Sequence, residues 1–362
     1  MKKRQARRRI GVVMGGSSGE REVSLRSGTA VADALQARGH EVVRIALDDF
    51  GPEVAAAIAR ARIDVAVLAL HGRHGEDGCV QGMLELIGVP YTGSSVLASA
   101  LAMDKLKAKE MFRLHNVPTP PYYIVHASTG PKSPGGASGR GAGDLEDMEA
   151  MHGSFGFPVV VKPRGEGSSL GVTKAHGFGE LGRALEAAFE FDDTVIVERF
   201  VSGIEVNVGI LDGRVLGAIE IAPRSGMYDY EAKYTAGMTE YFMPARLSPT
   251  RYRGVENLAD RAARALGCTG AVRVDLLVTS GENEYVLEVN TLPGMTPTSL
   301  LPKIAAHTGM DFGALCEAIL ASARLHAPKR TLRRAASHTE LTAAPPFAAE
   351  ALDQAVLLKT AG

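Results

Sequence analysis

The stretch that most constrains this chain is residues 271–290, two apolar runs, AVRVDLLV and EYVLEVN, separated by the turn residues Thr-Ser-Gly-Glu-Asn. Together they predict a β-hairpin that carries polar groups where a core strand should have none. Side chains alternate faces along a strand, so Arg273 and Asp275 share one face while Val274, Leu276 and Val278 share the other. On the return strand Glu288 and Asn290 also share a face. With a four-residue loop and Thr279 paired with Glu284, Asp275 falls opposite Glu288 and Arg273 opposite Asn290. Facing carboxylates repel unless one takes a proton or a cation lies between them. The hard-oxygen set Asp, Glu, Asn suits Mg²⁺ bridged to substrate phosphates, which points to a nucleotide-dependent reaction. The plainer alternative is a surface hairpin whose carboxylates pair with Arg273.

Composition narrows the class. A chain of 362 residues, 45% hydrophobic and 22% charged, can bury large cores and should divide into two or three domains. Its net charge of −1 supplies no basic field for nucleic acid or an anionic membrane, so neither partner is expected. Cys79, Cys268 and Cys316 are isolated and lack metal-ligand spacing. They read as small buried thiols in a reducing, cytoplasmic setting. The basic residues before Ile10 resemble the start of a signal peptide. The apolar run after them ends at Met14, too short for one, so residues 1–9 are expected to be a disordered basic arm.

From residue 10 to 98 strand and helix signals alternate: Ile10–Met14, a helix over Ser24–Arg38, Glu41–Ile45, a helix over Pro52–Ala61, and Asp64–Leu70. That order predicts an N-terminal α/β domain with an open parallel sheet, whose ligands lie beyond the carboxyl ends of its strands. GGSSGEREVSL (15–25) and HGRHGEDG (71–78) follow two such ends. Residues 99–193 are expected to form a second unit. It holds one helix over ASALAMDKLKAKEMFRLH and a Gly/Ser/Pro insertion near 127–143. Residues 194–326 form a third, opening on the strand TVIVERFV and closing on the helix Asp311–Arg324, and 327–362 a disordered tail.

The three valines at 159–161 deliver Lys162 into the glycine-rich loop Pro-Arg-Gly-Glu-Gly-Ser-Ser-Leu-Gly. Small residues there let backbone N–H groups approach phosphate oxygens, and the lysine adds a point charge. The spacing is not that of a Walker P-loop. Glu198 and Glu205, on a strand and just past a Ser-Gly turn, are placed to accept hydrogen bonds from an amino group or ribose hydroxyls. Taken singly, each also reads as an ordinary strand-end charge.

The lysine before a glycine loop, the acid-bearing strand and the metal-binding hairpin together resemble the ATP-grasp superfamily, and within it the D-alanine-D-alanine ligases. GGSSGEREVSL, ALHGRHGEDG, ASALAMDKL, VVVKPRGEGSSLGV, YDYEAKY, VRVDLLV, LEVNTLPGMT and TSLLPKIA look like that family's signature segments, in its order, over residues 10 to about 325. The resemblance implies an α/β N-terminal domain followed by two α+β ATP-grasp domains that sandwich ATP. It implies that two D-alanines are joined through an acyl phosphate for peptidoglycan synthesis, by a cytoplasmic homodimer. A ligase taking D-lactate or D-serine as acceptor, and a non-catalytic nucleotide-binding protein of the same fold, are the alternatives.

By that resemblance Asp275, Glu288 and Asn290 hold two Mg²⁺ ions, for which Mn²⁺ can substitute. Lys105 and Lys162 contact the α- and β-phosphates and Lys233 the γ-phosphate. Glu198 and the backbone of Arg199 and Val201 bind adenine, with Glu205 on the ribose. Glu20 takes the ammonium of the first D-alanine, and His71 lies beside its carboxylate. Ser299 and the Leu300 N–H take the acceptor carboxylate at a helix N-terminus. Arg273 and the Gly294 N–H stabilise the oxyanion. Ser168, Tyr234 and Glu20 form a hydrogen-bonded chain that fastens over the site a lid made of residues 223–245, which excludes water.

Overall fold

Ile10–Met14 is apolar at every position, as a strand covered on both faces must be, and it becomes the middle strand of a parallel sheet. The computed structural model describes residues 8–51, 53–127, 149, 151–223, 237–281 and 283–327. In it β1 (Arg9–Gly15) lies between β2 (Glu41–Leu47) and β3 (Val65–Leu68), in the order β2-β1-β3. The helices α1 (Arg21–Ala37) and α2 (Glu53–Ala61) make the crossovers. The carboxyl ends of β1 and β3 therefore open on the same edge, and both candidate ligand loops emerge there. Arg9, expected in the disordered arm, is the first residue of β1. Its N–H donates to Asp64 Oδ2 at 2.7 Å and its guanidinium to the Ala61 carbonyl at 3.0 Å.

After α3 (Cys79–Ile87), the single helix expected over 98–115 is two, α4 (Val96–Met103) and α5 (Lys105–Leu114). The break is Asp104, whose extended backbone ends one helix while its carboxylate caps the next by accepting the Lys107 N–H at 3.0 Å. Arg164 grips the same carboxylate, with Nε 2.8 Å from Oδ1. An aspartate with two such partners gains more from leaving the helix than from continuing it.

The second sheet comprises β4 (Tyr122–His126), β5 (Val159–Pro163), β6 (Thr173–Ala175) and β7 (Thr194–Arg199), antiparallel in the order β4-β7-β5-β6. The strand expected to open the third unit is thus an inner strand of this sheet. Val195 and Val197 share a core with Val159 and Val161 and with Leu181, Leu185 and Phe189 of α6 (Phe178–Phe189). Burying such side chains gains about 1.5–3 kcal/mol each, and this outweighs proximity along the chain.

The third sheet contains β8 (Ile204–Leu211), β9 (Arg214–Pro223), β10 (Thr239–Phe242), β11 (Ala271–Val278) and β12 (Glu284–Asn290), in the order β10-β9-β8-β11-β12. Val274, Leu276 and Val278 pack under α7 (Pro249–Ala265). Helix α8 (Leu300–His307) covers part of the other face, and a Cβ added at Gly209 would come within 3.0 Å of Leu301 Cδ1. Helix α9 (Phe312–Ala321), capped by Asp311, shares a core with α1 and the first sheet.

The hairpin loop holds five residues, not four: Val278 pairs with Glu284, and a bulge between Asp275 and Leu276 takes up the extra residue. Beyond the bulge Asp275 faces Glu288 and Arg273 faces Asn290, the expected pairs. Of the expected buried thiols Cys316 is buried, Cys268 half-buried and Cys79 exposed. The described residues up to His326 belong to one compact unit. Residues 1–7, nearly all of the Gly/Ser/Pro insertion, the tail beyond Ala327, and 224–236 of the expected lid, with Lys233 and Tyr234, lie outside the described residues. Among the described residues no helix is long and apolar enough to cross a membrane.

Candidate active site

Two cavities meet above the polar face of β11 and β12. The first, about 330 Å³, is lined by Glu20, His71, Ser168, Arg273, Gly294, Ser299 and Leu300. The second, about 440 Å³, is lined by Lys162, Glu198, Arg199, Val201, Glu205 and Asp275. Lys105, Glu166 and Glu288 line both, so a group at the junction touches the contents of each.

In the first cavity Glu20 stands just before α1, at the end of the loop after β1. The glycine loop of the second sheet closes on it: Ser168 Oγ donates to Glu20 Oε1, and a Cβ added at Gly167 would lie 2.5 Å from Glu20 Oε2. Ser168 and Ser169 both have φ in the left-handed region, 46° and 59°, a conformation that costs of order 1 kcal/mol or more per residue. His71, 6% exposed, has Nε2 3.4 Å from Ser27 Oγ, and its carbonyl accepts from Ser18 Oγ at 2.8 Å. Burial pushes its pKa down, against the pull of Glu20, so the ring is neutral at neutral pH.

Glu76 carries no signal in the sequence that singles it out. Its carboxylate accepts from the Gly72 N–H at 2.8 Å and the Leu292 N–H at 3.3 Å. Burial, with Glu20 nearby, pushes its pKa up to about 8, so it carries a proton at neutral pH. Unfolded, the side chain would lose that proton near its ordinary value of 4.5. Between those two values the folded state binds the extra proton. Its contribution to stability is complete below the lower value and is lost as pH rises through the higher. Glu76→Gln, which cannot ionise, is expected to be more stable than wild type at pH 8.5 by at least about 1 kcal/mol. Urea unfolding at pH 5 and pH 8.5 checks this: equal slopes with pH for both proteins would mean that Glu76 ionises normally.

Gly294 and Ser299 crowd each other, a Cβ at Gly294 falling 2.9 Å from Ser299 Oγ, so the loop backbone lies against the start of α8. Ser299 occupies the N-cap position of α8, and its hydroxyl is engaged with Thr296, from N at 3.0 Å and Oγ1 at 2.8 Å.

The hairpin brings Asp275, Glu288 and Asn290 together. Arg273 clasps Asp275 with Nε to Oδ1 at 2.7 Å and Nη2 to Oδ2 at 2.9 Å, and Asn290 Nδ2 is 3.3 Å from Oδ2. The pairing of the plainer alternative is thus present, but Asp275 is only 4% exposed. This is a recessed cluster and not a surface ion pair. Among the described residues no group of three or more His, Cys, Asp and Glu could hold a metal. What the hairpin offers is two carboxylates and a carboxamide, an oxygen-only set that fits a hard cation sharing its remaining positions with phosphate and water.

Lys105 opens α5 directly after the Asp104 break. Its N–H donates to the Arg164 carbonyl at 3.1 Å, its Nζ reaches the Glu166 carbonyl, and Glu288 Oε2 is 3.8 Å away. Lys162 Nζ is 2.7 Å from Glu198 Oε2. The other Glu198 oxygen lies 2.8 Å from Lys109 Nζ. Burial alone would raise the Glu198 pKa, but the two ammonium groups outweigh it and hold the carboxyl below the ordinary range. The Arg199 N–H already donates to the Pro121 carbonyl at 2.9 Å, which leaves its carbonyl as the backbone group it can turn to a ligand. At the far wall Glu220 is gripped by Arg246, Nη2 to Oε1 at 2.5 Å. Neither this pair nor Lys109 carries a local sequence signal, since each depends on contacts across elements.

Residues 51–94 match the family profile described as D-ala D-ala ligase N-terminus, and residues 136–321 that described as D-ala D-ala ligase C-terminus. A D-alanine--D-alanine ligase of Anaeromyxobacter dehalogenans is 51% identical over 320 residues, covering 88% of this chain and 98% of that protein. Among solved structures, the D-alanine--D-alanine ligase of Bacillus anthracis superposes with a TM-score of 0.73 at 36% identity, over 87% of this chain and 97% of that one. The same enzyme complexed with ATP superposes with a TM-score of 0.71 at 34% identity, over the same shares of both chains.

Proposed function

This chain belongs to the D-alanine–D-alanine ligase family and is an ATP-dependent ligase that forms D-alanyl-D-alanine, and from that premise we propose how its residues divide the work. The observation that carries the reading is the junction at Lys105, Glu166 and Glu288. There a nucleotide in the larger cavity presents its terminal phosphate to an amino acid in the smaller one. The carboxylate of the first D-alanine attacks the γ-phosphorus, the bond to the β-phosphate oxygen breaks, and ADP leaves an acyl phosphate. The free amine of the second D-alanine attacks that carbonyl. The tetrahedral intermediate collapses with loss of phosphate, and one proton is released from the amine.

Phosphoryl transfer needs positioning and charge neutralisation more than covalent help. Glu20, held by Ser168, accepts the ammonium of the first D-alanine, and neutral His71 lies beside its carboxylate. Because Glu76 keeps its proton, it adds no negative charge beside that carboxylate. Lys105 and Lys162 meet the inner phosphates, Lys233 the outer. Glu198 and the backbone of Arg199 and Val201 hold adenine, and Glu205 the ribose. Asp275, Glu288 and Asn290 would hold Mg²⁺, or Mn²⁺, which when bound neutralises charge on the phosphates. Arg273 and the Gly294 N–H stabilise the oxyanion, and Ser299 with the Leu300 N–H seats the acceptor carboxylate at the start of α8. Tyr234 and the rest of 223–245 exclude water from the acyl phosphate. We place the enzyme in the cytoplasm as a homodimer that feeds peptidoglycan synthesis.

Phosphate release from ATP is expected to require D-alanine and to match dipeptide formation one for one. Assays with D-alanine, L-alanine, D-serine and D-lactate, singly and with D-alanine, check this. Turnover that needs no D-alanine and yields no dipeptide would remove the assignment.

A further inference from the structure

Lys109 lies on α5 one turn after Lys105, yet it lines neither cavity and is 1% exposed. A buried ammonium is costly unless it is paired. Its Nζ has Glu198 Oε1 at 2.8 Å and Thr119 Oγ1 at 2.5 Å, and it sits 5.2 Å from the centre of the Tyr122 ring. Tyr122 is the β4 residue directly opposite Glu198. Among the described residues the charged groups paired with Glu198 are Lys109, on the dry side, and Lys162, which lines the nucleotide cavity with Lys105 nearby. Burial pushes the Lys109 pKa down to about 8, with Glu198 resisting, so the side chain is still a cation at neutral pH.

A carboxylate shared by two lysines is in an unusual position if one of them also serves the substrate. On the reading above, Lys162 turns part of its hydrogen bonding to the nucleotide phosphates. Glu198, 2% exposed, would then be left a buried anion with a weakened partner and would tend to take up a proton. A protonated Glu198 donates a hydrogen bond; an ionised one can only accept. An ionised Glu198 accepts from a 6-amino purine and repels a 6-oxo purine, whereas a protonated one can donate to the 6-oxo group.

We infer that Lys109 is a specificity-determining positioning residue: it stays on Glu198 while Lys162 engages the phosphates, keeps that carboxylate ionised, and so makes the site prefer adenine to a 6-oxo purine. The inference rests on the reading that Glu198 faces the adenine amino group. Lys109 touches no substrate and acts only through Glu198.

The test compares kcat/KM for ATP and for inosine triphosphate, which differ at purine position 6, with saturating D-alanine and Mg²⁺. The proteins are wild type, Lys109→Met, Thr119→Val and Glu198→Gln. Lys109→Met is expected to lower the ATP:ITP ratio by about tenfold or more. Thr119→Val, which loosens the Lys109 ammonium without removing it, should shift the ratio in the same direction by less. Glu198→Gln should lower it at least as far as Lys109→Met. A lowered ratio in Glu198→Gln with an unchanged one in Lys109→Met and Thr119→Val overturns the inference and leaves Lys109 a structural ion. An unchanged ratio in Glu198→Gln instead overturns the adenine reading beneath it. If Lys109→Met does not fold, Thr119→Val decides, and an unchanged ratio there counts against the inference.

Discussion

Replacing Arg273 by methionine is expected to lower kcat by about 10²- to 10³-fold while the protein stays folded. Losing one preorganised donor to a developing oxyanion costs about that much, because the charge exists only in the transition state. The methionine keeps most of the aliphatic bulk at a position whose side chain is 17% exposed. It also removes both hydrogen bonds to Asp275, so some loss of stability accompanies the loss of rate. Single-turnover kinetics at saturating ATP and D-alanine, with thermal unfolding alongside, separate the two effects. A kcat within tenfold of wild type in a destabilised protein would mean that Arg273 serves only to hold Asp275.

The second large effect is on stability. Glu198→Ala leaves the Lys109 and Lys162 ammonium groups in a recess without the one carboxylate that pairs with both among the described residues. Breaking a buried ion pair by removing one partner typically costs about 3–5 kcal/mol, because the remaining charge stays desolvated. We expect a loss in that range by urea unfolding without nucleotide. The double variant Lys109→Met, Glu198→Leu should recover part of it, since apolar groups of similar volume replace a charge network at little cost. A Glu198→Ala protein as stable as wild type would show that the two lysines reach water once the carboxylate is gone.

The facing of Arg273, Asp275, Glu288 and Asn290 is legible in the sequence because a strand has a period of two, and a hairpin turns that period into facing pairs. A loop one residue longer than expected leaves those pairs intact. The bulge between Asp275 and Leu276 restores the register, since otherwise one strand's buried set would turn to the wrong face. The parallel order of β1, β2 and β3 is legible for a similar reason: short apolar runs alternating with amphipathic helices leave few ways to close a core. Asp104 is harder to read. In isolation it is one aspartate in a helix-forming run, and the Arg164 guanidinium from across the chain joins the local Lys107 N–H cap to make the break favourable.

Local geometry alone dictates the strand faces, the glycine loops at strand ends, and the residue types gathered for phosphate chemistry. Which charges share a space depends instead on how the folded elements meet. Thr194–Arg199 joins the second sheet because its valines find a core there. Lys109 meets Glu198, and Glu76 is pressed toward Glu20, because packing brings distant elements together. Proton affinity and ion pairing follow from distance and desolvation, which depend on the folded arrangement in space and on no spacing along the chain.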